Sequence, residues 1–237
     1  GKNCYTYSLM NSITSITIFS FVKNKFWAFS QMGMAPKRIK NVQGLSFYKF
    51  LGTGGGQGFS LRPDFSTYAF LGVWDSYESY KKCLSHHPLF IDYQRKANTQ
   101  RDLVLGNINS HGFWDKKNPF KGESYNSKSE VNKKIVVITR ATLRWNRLLS
   151  FWNAVPRASK AIKNAKGVHY YKGIGEWPFI QQATISIWDN FKSINDFAYK
   201  DKIHSDIVKV TRKKKWYKED LFSRFNLISD TTKKLPL

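Results

Sequence analysis

"NVQGLSFYKFLG" (41–52) and "NAKGVHYYKGIG" (164–175) are two versions of one segment, matching at Gly44 and Gly167, Tyr48 and Tyr171, Lys49 and Lys172, and Gly52 and Gly175. An internal repeat is settled before any motif is read, because it sets the whole architecture. Downstream, "STYAFLGVWDSYESYKK" (66–82) faces "QATISIWDNFKSINDF" (182–197), each an apolar run closed by Trp-Asp, at Trp74-Asp75 and Trp188-Asp189. Upstream, "SITSITIFSF" (12–21) and "KKIVVITRATLR" (133–144) are β-rich runs followed by the aromatic helical stretches "NKFWAFSQM" and "NRLLSFWNAV". Each half therefore reads strand, helix, strand, turn, strand, helix and a last strand, "RDLVLGNINS" (101–110) or "SRFNLIS" (223–229). Asp75 and Asp189 directly follow strands and are expected to cap the next helices.

That order is the split βαβ unit. The predicted fold is α+β, a tandem duplication of a ferredoxin-like unit that forms a dimeric α+β barrel-like architecture within one chain. The expected division is an N-terminal repeat over 1–115, a polar linker "KKNPFKGESYNSKSEVNKK" over 116–134, and a C-terminal repeat over 135–237. Two paired sheets leave the space between sheet and helices for a large ligand.

"GTGGGQGF" (52–59) resembles a phosphate loop at first sight. It occupies the place of "GEWPF" (175–179) in the other half, so it joins strand to strand, whereas phosphate loops run from a strand into a helix N-terminus. No register gives G-x-G-x-x-G, and no Gly-Lys-Ser/Thr follows. Its glycines serve a turn or a close backbone approach.

The composition is globular and basic: 41% hydrophobic, 16% aromatic, with a formal net charge of +23 and no acidic residue before Asp64. Eighteen Phe and eight Trp mark a large apolar interior or ligand. The charge points to an anionic partner or to a heavily solvated lysine surface. Cys4 and Cys83 make neither a disulfide framework nor a zinc knuckle. The N-terminal stretch lacks signal-peptide features and no apolar run reaches membrane-span length, so a cytoplasmic protein is expected.

Five histidines are present, at 86, 87, 111, 169 and 204. None has a tight metal-ligand spacing such as H-E-x-x-H, and without C-x-x-C-H any haem is non-covalent. His86-His87 before Pro88 end one helix and lead into another. His169 lies in a strand, where core packing and pocket lining are both open. His204, in "FAYKDKIHSDIVKV", sits near an apolar helical face and is a packed residue or a single axial ligand. Arg140, Thr142 and Arg144 alternate on one strand face, which suits an anionic group, a polarised oxygen or a wet sheet edge. Gln182 and Thr184 likewise share a face of the strand over 180–188. No Ser-His-Asp pattern or paired carboxylates argue for hydrolysis.

"KFWAFSQMGMAP", "GLSFYKFLGTGGGQGFSLRPDFSTYAFLGVW", "GFWDKKNPF", "ITRATLR", "KGIGEWPFIQQATISIW" and "WYKEDLFSRF" together resemble the spheroidene monooxygenase family of carotenoid ketolases, in order and spacing, from about residue 13 to 229. The resemblance implies a haem b-containing oxygenase that converts a terminal methylene of an acyclic carotenoid to a ketone. Dioxygen and an external electron donor such as a ferredoxin would be its co-substrates. The architecture is similar to dimeric α+β barrel haem proteins such as aldoxime dehydratases, whose haem hangs from one His on a helix of the C-terminal half. By that likeness His204 is the metal ligand, with its first-half counterpart near Phe90. Arg140, Arg144 and Gln182 are the distal or propionate-binding residues. A carotenoid substrate also implies peripheral contact with an anionic inner membrane. Two other functions are consistent with the sequence: a haem-dependent dehydratase or N–O bond-transforming enzyme on a smaller substrate, and a basic ligand- or nucleic-acid-binding module. The last lacks an RNP-type strand, which disfavours nucleic acid.

Overall fold

A computed structural model describes residues 12–55, 62–120, 134–153, 156, 160, 162–177, 181–200 and 216–236. The strands are β1 (Ile13–Ser20), β2 (Leu45–Gly54), β3 (Pro63–Trp74), β4 (Thr99–Gly112), β5 (Ile135–Leu143), β6 (Val168–Trp177), β7 (Gln181–Trp188) and β8 (Tyr217–Lys234). The helices are α1 (Lys25–Arg38), α2 (Tyr77–His86), α3 (Pro88–Lys96), α4 (Leu148–Trp152) and α5 (Phe191–Lys200), with a 3-10 turn over Trp145–Arg147. All strand pairs are antiparallel, and they close a barrel in the order β1-β3-β2-β6-β7-β5-β8-β4. The four strands of each half run in one order, β2-β3-β1-β4 and β6-β7-β5-β8.

Alternation along the strands divides the apolar residues between two faces. Inward lie Ile16, Leu71, Leu103, Val136, Ile185 and Phe225, in one aliphatic-rich core that both halves fill. Outward in the first half lie Phe19, Phe50, Tyr68, Phe70 and Trp74, packed under α1, α2 and α3. The interior of the barrel is thus solid packing, as is usual for eight strands. The segment after β4 adds to it: Trp114 and Phe120 are 1% and 3% exposed inside the same core. Phe120 lies in the stretch read as linker; 121–133 lie outside the described residues.

The repeated segment has one local geometry in both halves. Gly44 and Gly167 carry φ of +80° and +83°, and a Cβ at either would lie 2.4 Å from Ser79 Oγ or Ser193 Oγ. Their carbonyls accept from the backbone N–H of Asp75 and Asp189, both at 2.8 Å. The capping expectation shifts by one residue. Ser76 Oγ accepts from Ser79 N–H at 3.1 Å and Asn190 Oδ1 from Ser193 N–H at 3.0 Å, because the Trp-Asp aspartates are still held at the strand ends by the glycines. The two tryptophans are matched in position but not in partner: Trp74 Nε1 donates to Ser15 Oγ on β1 and Trp188 Nε1 to Ser186 Oγ on its own strand, each at 2.8 Å, since Ser15–Gly72 in the first half stands where Val137–Ser186 stands in the second.

Gly52 to Gly54 belong to β2, which runs antiparallel into β3, so the glycine-rich stretch joins strand to strand. Its tip, 56–61, lies outside the described residues. Gly52 pairs with Gly175 and Thr53 with Ile174 where β2 meets β6, and a Cβ at Gly175 would lie 2.6 Å from the Gln181 carbonyl oxygen. The repeat glycines serve the seam between the halves.

Candidate functional site

The two outer faces share a backbone and differ in what they carry. Ile13 pairs with Trp74 and Ile135 with Trp188, which sets the registers of the halves in correspondence. On that frame Phe19–Tyr68 becomes Ala141–Gln182, Thr17–Phe70 becomes Thr139–Thr184, and Phe50–Phe70 becomes Gly173–Thr184. In the first half these positions form an aromatic plug. Phe50 and Phe70 lie 5.0 Å apart by ring centroids, Phe70 and Phe90 4.9 Å, and Phe19 and Tyr93 4.8 Å. In the second half Ala, Gly, Thr and Gln replace Phe, Phe, Phe and Tyr, while Trp188, Tyr171, Val137 and Ile194 keep the flanking apolar wall. A sheet face stripped of four large rings, beneath a helical layer, is the arrangement that admits a flat apolar group. Gln182 lies on this face with Ala141, Thr139 and Thr184; the two threonine hydroxyls bond each other, and the Gln182 amide adds a donor beside them.

Arg140, Arg144 and Gln182 do not come together. Arg140 is inward on β5, 3% exposed, across the sheet from Gln182. Its guanidinium is ion-paired to Glu219 and, at 3.2 Å, to Asp115, and lies 5.4 Å from the Trp114 ring centroid. Burial by itself would raise the pKa of Glu219, but the backbone N–H of Lys116, the Arg140 side chain and the N–H of Asp115 outweigh it and hold the carboxyl below its ordinary value. Arg144 follows β5, whose register shifts at Thr142–Leu143, and is exposed, its Nε donating to the Tyr217 carbonyl at 3.1 Å. Strand alternation ends where the strand does, which is why the expected Arg140–Arg144 face does not form. His204 lies outside the described residues.

Three of the other histidines, His86, His87 and His169, have local tasks. His87 caps α3, accepting from Leu89 N–H at 3.2 Å, with His86 ending α2. His169 pairs with Asp189 at the surface. Among the described residues no group of three or more His, Cys, Asp or Glu is placed to hold a metal. Cys83 is a buried free thiol, pushed up to about 11 by burial. No described helix is long and apolar enough to cross a membrane. The sheet faces on which RNA-binding units of this order stack bases are turned into the barrel.

Sequence reading missed the polar cluster at one barrel mouth. Lys49 bridges Asp115 and, at 2.6 Å, Glu176, while Trp114 Nε1 donates to Glu176 at 2.8 Å. Its signal was the matched lysine of the repeat, since Lys172 makes the corresponding bridge to Asp64 at 3.5 Å. A pocket of about 260 Å³ opens beside it, lined by Met32, Pro36, Tyr48, Lys49, Phe50 and Glu176. That volume is below what drug-sized ligands need, and its charged groups are already paired, so the second-half face is the stronger site.

No protein-family model matches the sequence. A spheroidene monooxygenase of Cereibacter sphaeroides is 31% identical over 221 residues, spanning 92% of this chain and 67% of that protein. One of Rhodobacter capsulatus is 28% identical over 218 residues, 91% of this chain and 90% of that one. Among solved structures, an aldoxime dehydratase superposes with a TM-score of 0.63 at 8% identity, covering 95% of this chain and 84% of its own. A second aldoxime dehydratase, in complex with butyraldoxime, reaches 0.54 at 10% identity, covering 95% and 82%. Those two establish likeness of fold, an α+β antiparallel barrel. On the level of sequence, the chain belongs to the spheroidene monooxygenase family.

Proposed function

We propose that the chain is a haem b-dependent monooxygenase that oxidises a terminal methylene of an acyclic carotenoid, or a similarly apolar molecule, to a ketone. The observation that carries this reading is the exchange of the first-half plug of Phe19, Phe50, Tyr68 and Phe70 for Ala141, Gly173, Gln182 and Thr184 on an otherwise matched sheet. The residues present fit a porphyrin: a flat face without large side chains, walled by Trp188, Tyr171 and Ile194. The identical order of the two four-stranded sets supports a duplicated split βαβ unit with its halves at 1–115 and 135–237. One half keeps its core filled and the other binds.

His204 would hold the iron from the helical side, Gln182 would face the group from the sheet, and Arg144, at the open end of β5, would meet a propionate. Phe90, which is fully buried against Phe70, occupies the first-half counterpart, consistent with one haem per chain. The haem, when bound, supplies the activation of dioxygen. The protein's part is to hold the methylene against that centre, exclude water with the apolar wall, and donate a hydrogen bond from the Gln182 amide. Two successive oxygen insertions at one carbon, each consuming one O2, two electrons and two protons and releasing water, give a gem-diol that loses water to the ketone. The electrons come from an external donor such as a ferredoxin.

The test is the absorption spectrum of the protein after expression with iron and haem precursor, beside His204→Ala. A Soret band that is lost or shifted in His204→Ala is expected. A band unchanged by the substitution removes the axial assignment, and absence of any band in the wild type removes haem dependence.

A further inference from the structure

We infer that the face formed by Val22, Phe26, Phe29 and Phe65 docks on an anionic lipid bilayer. These four side chains are 71%, 85%, 52% and 52% exposed, an unusual amount of aromatic surface to leave in water. The three rings are contiguous, and Val22 precedes their helix. Phe26 and Phe29 lie one turn apart on α1, and the Phe29 ring meets Phe65 of β3 edge-on at 5.7 Å. They are also held in place. Val22 N–H donates to Asn98 Oδ1 at 2.6 Å, and Asn24 Nδ2 donates to the Lys96 carbonyl at 3.2 Å, so the loop before α1 is tied to the loop before β4. Exposure of Val22 and Phe26 is therefore a property of an ordered surface.

The charge around the face decides the occupant. Lys23 and Lys25 are exposed beside Val22 and Phe26, and Lys37 and Lys40 are exposed toward the other end of α1. No acidic residue precedes Asp64. Asp64 is engaged by Ser66 and by Lys172 at 3.5 Å, and Asp92, which faces α1 from α3, by Arg38 at 2.7 Å. Apolar side chains ringed by lysines of one sign suit the boundary between acyl chains and anionic headgroups. The cores of protein interfaces, by contrast, are depleted of lysine. The inference rests on the reading of a membrane-borne substrate for its purpose, though not for its chemistry.

The full chain is floated with vesicles of phosphatidylcholine alone and with roughly 30 mol% phosphatidylglycerol. Binding is expected to need phosphatidylglycerol, to fall as salt screens the lysines, and to weaken about tenfold or more in Phe26→Ser/Phe29→Ser. Both side chains are exposed, so an unchanged thermal midpoint is expected. Lys23→Glu/Lys25→Glu provides a second variant that leaves the rings intact and is expected to weaken binding as well. The comparison pair Trp145→Ser/Leu149→Ser, at the equally exposed start of α4, is expected to bind as wild type. Wild type that ignores phosphatidylglycerol, binding that survives both the Phe and Lys variants, or binding lost only with Trp145 and Leu149 overturns the inference. So does retention on an oligonucleotide that depends equally on Phe26 and Phe29. Flotation is run with and without haemin, which separates failure of the docking face from failure of the haem reading.

Discussion

Arg140 shows how little residue type says about role. An arginine inside a strand of an oxygenase suggests anion binding, yet this one is spent on Glu219 and Asp115 at the mouth of the barrel. Arg140→Met should cost roughly 2–4 kcal/mol, at the lower end for a broken buried pair because both carboxylates reach solvent. The sign of the pH dependence follows from Glu219. Its folded-state pKa lies below the ordinary 4.5, so the pair's contribution is present above 4.5 and is lost as pH falls through the folded value. Urea unfolding of wild type and Arg140→Met should therefore differ at neutral pH and converge in acid. Equal midpoints at pH 7 would show the pair to be energetically silent.

At the scale of elements, β5, β6 and β7 repeat β1, β2 and β3 in register and differ in bulk. The first-half set is finished by its own aromatic core, while the second-half set carries Ala141, Gly173, Gln182 and Thr184 in its place, the face on which the proposed haem would lie. Ala141→Phe restores the ring that Phe19 supplies on β1. Overpacking a filled site costs about 1–3 kcal/mol, so haemin affinity should fall roughly tenfold to a hundredfold. The thermal midpoint of the cofactor-free protein should hold, since the ring goes onto the face that carries Phe19 in the first half. A haemin titration followed at the Soret band, paired with thermal unfolding, checks this. Unchanged affinity would place the group elsewhere.

Over the whole molecule, the halves are joined through one core and two seams. The β4–β8 seam runs from Thr99–Lys234 to Gly112–Leu221, while β2 and β6 pair at Gly52–Gly175 and Thr53–Ile174. The short seam is flanked by the matched bridges Lys49–Glu176 and Lys172–Asp64. Burial would lower the Lys49 pKa, but its bonds to Asp115 and Glu176 win and raise it above 10.5. Its contribution is therefore complete below 10.5 and is lost as pH rises through the folded value. Unfolding should be a single transition, coincident by tryptophan fluorescence and far-ultraviolet dichroism. Lys49→Met should lower its midpoint by the equivalent of about 1–2 kcal/mol, a difference that closes at high pH. Two resolved transitions would mean that the halves unfold as separate domains.

The order of elements, the correspondence of Gly44 with Gly167 and the strand-to-strand nature of the glycine-rich stretch were legible in the chain alone, whereas the positive φ at those two glycines came from the structure. Each depends on local pattern: period-two alternation, a segment met twice, and the lack of any helix pattern after the glycines. The family was legible for a related reason, since blocks in fixed order survive in the linear text. The helix caps were misplaced by one residue, because Asp and the neighbouring Ser76 or Asn190 are equally good caps until the glycine carbonyl claims the aspartate's backbone. Only tertiary structure decided which face of each strand looks inward. Closing the barrel turned Arg140 into the shared core and Gln182 out toward the helices, although the two stand on adjacent strands. Only the paired registers, too, set Ala141 against Phe19 and Gly173 against Phe50. A missing ring is visible only when the paired register shows which residue stands in its place in the other half.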